Sequence, residues 1–263
     1  STVNGMNQQS LKQFEAMGSN RIDVQADLYN GQNAFEALYD YCNSLGSDLV
    51  LGVTPDAYFN ANVVYGSKSS KAMEKNQENM WNSGGANTQV ALPPELRFGS
   101  NQYSVCNNFQ IAAGRDLSKI DIRNYNQVCV LGARAAQNFF NYADPVGQVM
   151  QVNGIPFTVI GVYGEKDPDS AWSMDNIIVF PYTTSRILSP GTQMSQFVVK
   201  AASNKAAVEA TSRISGFLTG LTNNGQSGWG YAQSNNQWQQ SQNEYTTMLS
   251  MVLGGIAAIS LLV

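Results

Sequence analysis

The chain has 263 residues and a mass of 28.6 kDa, enough to bury a sizeable core in one large domain or two modest ones. Charged residues are 13%, against a usual ~25%, the net charge is −4, and Lys and Arg are scattered singly, which excludes a basic field for nucleic acid. Histidine is absent, which removes Ser-His-Asp and Cys-His nucleophiles and every His-ligated metal site.

In chain order, Leu11, Phe14 and Met17 sit at helical spacing and predict a short amphipathic helix over Met6–Met17, stopped by Gly18. Ile22, Val24 and Ala26 alternate with Asp23 and Gln25 as a half-buried strand. Asn33 and Glu36 have the form of a capping box. Behind them Phe35, Leu38, Tyr39, Cys42 and Leu45 form one apolar stripe closed by Gly46. Leu49, Leu51 and Val53 alternate as a second strand, and Asn62 to Tyr65 suggest a third. The polar stretch Ser69–Thr88 reads as a loop or a marginal helix.

From about Leu92 to Ile187 the pattern is β-rich, as in VCVLG at Val128–Gly132 and FTVIGV at Phe157–Val162. Asn153-Gly154 predicts a type I′ hairpin between QVMQV and IPFTVIGV, because both residues accept positive φ. Pro156 beside it suits an edge position better than a central strand. Phe197, Val199 and Ala201 then repeat the strand pattern. Ser203 can cap a helix whose face carries Ala207, Ala210, Ile214, Phe217, Leu218 and Leu221, and turn residues at Asn223–Gly228 precede a short aromatic strand at Trp229–Tyr231. Two strand-helix-strand units separated by a long insertion predict an α+β fold, a split ferredoxin-like lobe with a β-rich lobe inserted in it.

Candidate chemistry is sparse. GRDLSKID, Gly114–Asp121, reads as a turn in which Arg115 pairs a neighbouring carboxylate, Asp116 or Asp121, and Ser118 caps the next turn, rather than as a charged site. EKDPDS, Glu165–Ser170, reads as a solvated acidic turn, lacking the glycine and distal glutamate of an EF-hand loop. Trp81, Trp172, Trp229 and Trp238 read as packing aromatics, with a carbohydrate or peptide groove as the alternative. Cys42, Cys106 and Cys129 show no C-x-x-C spacing; they read either as buried small hydrophobes or as one disulfide, Cys106 with Cys129, leaving Cys42 free. No P-loop or G-x-G-x-x-G string is present, so this polypeptide is not expected to bind ATP itself.

The order of four segments is specific. IAAGRDLSKIDIRNYNQVCVLGARAAQNFF, DPVGQVMQVNGIPFTVIGV, NIIVFPYTT and the final GGIAAISLLV resemble the extracytoplasmic (periplasmic core) domain of MacB-type ABC transporter permeases, in the FtsX-like permease superfamily. The resemblance implies a porter-like lobe split over residues 1–90 and 193–240, an inserted β-rich lobe over 91–192, and flanking membrane-proximal helices. It implies no catalytic residues, no cofactor or metal in this chain, and Gly114, Arg115, Asp144, Pro145, Gly147, Asn153 and Gly154 as fold determinants. It further implies a place on the extracytoplasmic face of the cell membrane, an ABC ATPase that uses ATP in the cytoplasm, a second permease copy and, often, a periplasmic adaptor protein. ATP hydrolysis would be coupled by mechanotransmission to export of a peptide, drug or lipoprotein.

The uncharged run after Glu244 would span about 28 Å as a helix, close to a ~30 Å hydrocarbon core. With no signal peptide before Ser1 and no complete span inside, the chain is expected to be part of something longer. Residues 241–263 are expected to begin a truncated membrane helix, entering through Met248, Leu249, Val252, Leu253, Ile256, Ile259, Leu261 and Leu262. Two other functions fit less of the sequence: a membrane-anchored cell-surface binding module for a glycan or peptide, and a secreted hydrolase working through carboxylates alone.

Overall fold

The computed structural model describes residues 18, 20–83, 90–169 and 173–234. The expected helix at Met6–Met17, the apolar end from Met248 to Val263, Trp172, Trp238 and the side chain of Trp81 lie outside the described residues. The elements run β1 (Arg21–Leu28), α1 (Phe35–Ser44), β2 (Val50–Pro55), β3 (Ala57–Phe59), β4 (Val63–Tyr65), β5 (Lys68–Ser69), α2 (Ser70–Ser83), β6 (Glu95–Gly99) and α3 (Tyr103–Asn107). They continue as β7 (Ile111–Gly114), α4 (Lys119–Arg123), β8 (Val128–Leu131), α5 (Ala133–Phe140), β9 (Val149–Val152), β10 (Ile155–Tyr163) and β11 (Ile177–Pro181). A 3-10 turn at Tyr182–Thr184 and α6 (Ser185–Leu188) then lead to β12 (Gln196–Ala201), α7 (Asn204–Leu221) and β13 (Gly228–Ser234).

The outer units build a four-stranded sheet in the order β13-β1-β12-β2, antiparallel throughout, which is the ferredoxin-like arrangement. In β1, Ile22, Val24, Ala26 and Leu28 face inward under α1 and α7, as the alternation predicts. Helix α1 buries Phe35, Leu38 and Cys42 and stops at Gly46, whose φ of +82° suits glycine. Its start is simpler than a capping box: Asn33 Oδ1 accepts from the Phe35 amide at 2.9 Å, and the N-cap residue is Ala34, with no side-chain hydrogen bond. Ser203 caps α7, accepting from the Ala206 amide at 3.1 Å.

The phase of β2 differs from the expectation. Leu51 points outward at 47% exposure, while Gly52, Val53 and Thr54 are buried in succession. The reason is a second cover: a Cβ on Gly52 would lie 3.3 Å from both Cys106 Sγ and Gln102 Cβ, at and just before α3. A strand packed on both faces loses its two-residue period.

The remaining strands form one mixed sheet, β3-β6-β11-β8-β10-β9-β4-β5, with β7 pairing β10. It contains β3, β4 and β5, so Ala57–Ser69 corrects the lobe boundary expected at residue 90: hydrophobic pattern marks a strand but not the sheet it joins. The polar stretch after Ser69 forms a helix over Ser70–Ser83, anchored by buried Met73 and by Ser70 Oγ, which accepts from the Val63 amide at 2.9 Å. Asn153 (φ +50°) and Gly154 (φ +80°) turn β9 into β10 as predicted. Pro156 is not on an edge strand; it sits at the second residue of β10, before β8 comes alongside at Thr158, where a missing N–H removes no bond to β8.

All three cysteines are free and buried, which agrees with their reading as small hydrophobes and not with the alternative, a Cys106–Cys129 disulfide. Cys129 lies inside β8 and Cys106 on α3 against β2, two different layers. One apolar core runs through both sheets, from Ile22 and Phe197 to Phe157 and Phe180, and a second cluster around Tyr103, Phe109, Val130 and Tyr163 fills the other face of the large sheet.

Candidate functional site: the joint between the sheets

The chain passes from the small sheet to the large one through a single residue, Asp56, between β2 and β3. Its amide donates to Gln196 O at 3.0 Å, and its carboxylate collects groups from distant elements. Tyr103 of α3 donates its hydroxyl to Asp56 Oδ1 at 3.0 Å. Arg21 of β1 lies 3.5 Å from Oδ2, and Arg97 of β6 lies 3.7 Å from Oδ1 while donating to Asp56 O at 3.2 Å. Thus one carboxylate meets a cation from each sheet.

The cations have other partners. Arg21 donates to Asp23 at 2.8 Å and to the side-chain oxygen of Asn107, and Arg97 to Glu95 at 2.8 Å. Burial works against the charge on Arg21, but Asp23 and Asp56 outweigh it and raise its pKa. Burial and then Asp56 push the Tyr103 phenol well above its ordinary value. Lys166 closes the far side: its amine donates to Asn107 O at 2.7 Å, lies 4.2 Å over the Phe109 ring, and is pushed down to about 8, chiefly by burial.

A second brace runs beside the first. Ser100 donates its amide to Thr54 Oγ1 at 2.8 Å and its hydroxyl to Val53 O at 3.0 Å, and the Val53 amide donates to Gln102 Oε1 at 3.0 Å. The segment after β6 is therefore stitched to β2 of the other sheet. A pocket of about 230 Å³ opens at the joint, but the charges lining it are already paired with one another. Such an arrangement holds position and offers no free base or nucleophile. Among the described residues, no group of three or more Cys, Asp and Glu side chains could hold a metal ion.

The residues singled out in the sequence gather elsewhere, along β10. At the end of β7, Gly114 has φ +70° and its Cβ would lie 2.3 Å from Ile160 O. Arg115 pairs Asp121 through two bonds of 2.6 and 3.1 Å, and Ser118 and Asp121 cap α4 reciprocally. Asp116 accepts from Tyr163 Oη at 3.0 Å. In the DPVG turn, Asp144 Oδ1 accepts from the Val146 amide at 2.9 Å, Pro145 O accepts from the Gln148 amide at 3.1 Å, and the Gly147 amide donates to Val159 O at 2.8 Å. Asn153 Oδ1 accepts from the Asn62 amide at 2.8 Å.

In the acidic stretch from Glu165 to Asp169, the Lys166 and Asp167 amides both donate to the carboxylate of Asp175, which lies beyond it. Trp229 and Tyr231 stack at 6.3 Å on the outer face of β13, apart from the joint. Sequence reasoning missed Arg21, Asp56, Arg97, Tyr103, Asn107 and Lys166. The only local sign was a charge at Arg21 in a strand whose neighbours alternate.

The MacB-like periplasmic core domain family matches residues 1–217. The pyoverdine export ATP-binding/permease protein PvdT of Pseudomonas aeruginosa is 33% identical over 158 residues, covering 59% of this chain and 24% of that protein. The macrolide export ATP-binding/permease protein MacB of Azoarcus sp. is 34% identical over 166 residues, covering 61% and 24%. The chain thus spans about a quarter of the length of these relatives. The periplasmic region of MacB from Actinobacillus actinomycetemcomitans superposes with a TM-score of 0.63 at 18% identity, covering 89% of this chain and 98% of that one. The extracellular domain of the transporter YknZ from Gram-positive bacteria superposes with a TM-score of 0.57 at 15% identity, covering 82% and 100%. With a family match over most of its length and the same fold, the chain belongs to the MacB-like periplasmic core domain family, as the extracytoplasmic domain of a MacB-type ABC transporter permease.

Proposed function

We propose that this domain works in an exporter as a rigid lever: its two lobes move as one body and carry motion from the membrane to cargo outside it. The observation that carries this reading is the joint at Asp56, where cations from both sheets meet one carboxylate and Ser100 and Gln102 tie the large sheet's following segment to β2. A hinge would concentrate few buried contacts; here an apolar core runs through the crossing as well. The work would come from an ABC ATPase in the cytoplasm, the motion from a pair of permease copies, and cargo of the peptide, drug or lipoprotein class would be handed on, in many cases to a periplasmic adaptor. No step of bond chemistry falls to this chain. Gly114, Arg115, Asp144, Pro145, Gly147, Asn153 and Gly154 act in this reading as fold determinants that keep β10 straight under load.

The test is a distance. Tyr29 in the first lobe and Tyr142 in the second are exposed at 68% and 98%, and all three native cysteines are buried, so Tyr29→Cys and Tyr142→Cys take spin labels selectively. In the full transporter the label separation is expected to stay constant between nucleotide-free and ATP-bound states. A change on ATP binding would overturn the rigid-lever reading. The reading frame around this segment is expected to encode further membrane helices, beside or fused to an ABC ATPase; finding neither would overturn the permease assignment of the work.

A further inference from the structure

A second cleft, of about 380 Å³, lies between α1 of the first lobe and the segment carrying α4 and the 3-10 turn. That volume is in the range of small-ligand sites. Its floor is aromatic: the Phe35 ring meets Tyr182 edge-on at 4.9 Å, and Tyr39 extends it at 5.7 Å from Phe35. Glu36 and Asp40 stand one turn apart on the α1 wall; Lys119 and Arg123 stand one turn apart on the α4 wall. Among the described residues none of these four is in an ion pair. The two charged walls face one space without neutralising each other, so both signs remain on offer to a third party.

Tyr125 supplies an independent sign. It lies on this cleft with φ +55°, whereas every other non-glycine residue of positive φ among the described residues is asparagine. A bulky side chain is disfavoured there, and at 45% exposure the ring gains little from burial. Arg186 holds the ring, its guanidinium 3.9 Å from the centroid. The left-handed turn closes α4, the Asn126 amide donating to Asp121 O at 3.0 Å and the Tyr125 amide to Ile122 O at 3.3 Å, and it leaves the ring standing on the cleft. Burial and then the Glu36 carboxylate push the Tyr182 phenol on the cleft floor up to about 12, so the field of the acidic wall reaches the floor.

We infer that this cleft binds a zwitterionic ligand with an aromatic body, the chemistry of a short free-ended peptide: the ammonium at Glu36 and Asp40, the carboxylate at Lys119 and Arg123, and a ring against Tyr125 and Tyr182. Charge-assisted bonds at both ends set the orientation, and the aromatic floor supplies the contact area. Such binding is independent of the lever reading, because it is tested on the domain alone.

The probe is the tripeptide Phe-Ala-Phe, titrated into the domain by calorimetry and by amide chemical-shift mapping. Saturable binding is expected, with shifts centred on the two charged walls. Acetylating and amidating the probe's ends, the double variant Glu36→Gln/Asp40→Asn, and the double variant Lys119→Met/Arg123→Met are each expected to weaken binding at least about tenfold. Tyr125→Gly is expected to weaken binding while leaving Tm equal or higher, because glycine relieves the left-handed backbone. Three outcomes overturn the inference: no saturable binding at millimolar peptide, affinity blind to end-blocking or to the charge variants, or Tyr125→Gly lowering Tm with affinity unchanged.

Discussion

Asp121 and Asp56 are both aspartates that hold an arginine, and they do opposite jobs because of where their partners come from. Asp121 takes Arg115, Ser118 and Asn126 from within six positions in sequence. Asp56 takes Arg21, Arg97 and Tyr103 from 35, 41 and 47 positions away. The first cluster completes a turn and a five-residue helix that a local segment can form early. The second exists only once both sheets are in place, since no pair of its members shares an element. A local cluster stabilises the piece it belongs to; a non-local one reports whether the lobes are joined.

Removing each carboxylate should separate these roles. In Asp56→Ala, the Tyr103 hydroxyl loses its acceptor in a buried site, while Arg21 keeps Asp23 and Arg97 keeps Glu95. The loss is therefore put near the low end for a broken buried pair, about 3 kcal/mol. Urea unfolding should show it as a lower midpoint with a shallower slope, as coupling between the lobes weakens. A loss below about 1 kcal/mol would mean that the apolar core alone holds the joint.

Asp121→Asn should cost less, about 2 kcal/mol, because Arg115 is half exposed and can turn to water. It should leave the slope of the urea transition unchanged, the opposite of the joint variant. The same group predicts an acid dependence. Burial alone would raise the Asp121 pKa, but hydrogen bonds from Arg115, Ser118 and Asn126 outweigh it and hold the carboxyl well below its usual range. A depressed folded pKa means that the stabilisation is complete above the unfolded value of about 4 and is lost as pH falls below it. The urea midpoint should fall with pH from about 4 downward in the parent chain and fall less in Asp121→Asn.

The same contrast explains what could be read from the sequence. Helices α1 and α7, the strand alternation of β1 and the Asn153-Gly154 turn are local patterns, and each stands where its residues place it, whereas β12 keeps its place but, buried from Phe197 to Ala201, not its alternation. The Arg115–Asp121 turn was legible for the same reason. The phase of β2 was not, because α3 covers its second face from a position about fifty residues on. Nor could pattern show that Ala57–Ser69 joins the large sheet, since strand partners are chosen by the assembled core. The joint was invisible because its meaning lies in the meeting of five elements. The positive φ of Tyr125 was equally hidden, since no residue type but glycine or asparagine advertises that conformation.

The smallest effect sharpens the joint from its other side. Lys166 places its amine on the aromatic cluster behind Asn107, and burial lowers its pKa to about 8 against an ordinary 10.5. Below pH 8 the buried ammonium costs stability in full, because the folded and unfolded chains both carry the proton. Between pH 8 and 10.5 the unfolded chain binds more protons than the folded one, so stability rises with pH by linkage. Cys42, Cys106 and Cys129, all raised by burial, oppose the rise from about pH 8.5 upward, since the unfolded thiols ionise first, and Tyr103 and Tyr163 add to the opposition from about pH 10. The urea midpoint of the parent chain should therefore fall from about pH 8.5 upward, with Lys166 offsetting part of the fall. Lys166→Met keeps the apolar stem over Phe109 and removes the ammonium, so it should steepen the alkaline fall and match or exceed the parent at pH 7. A variant that loses stability at pH 7 while the alkaline fall keeps the parent's slope would show that the bond from Lys166 to Asn107 O, and not its burial, decides the balance at the joint.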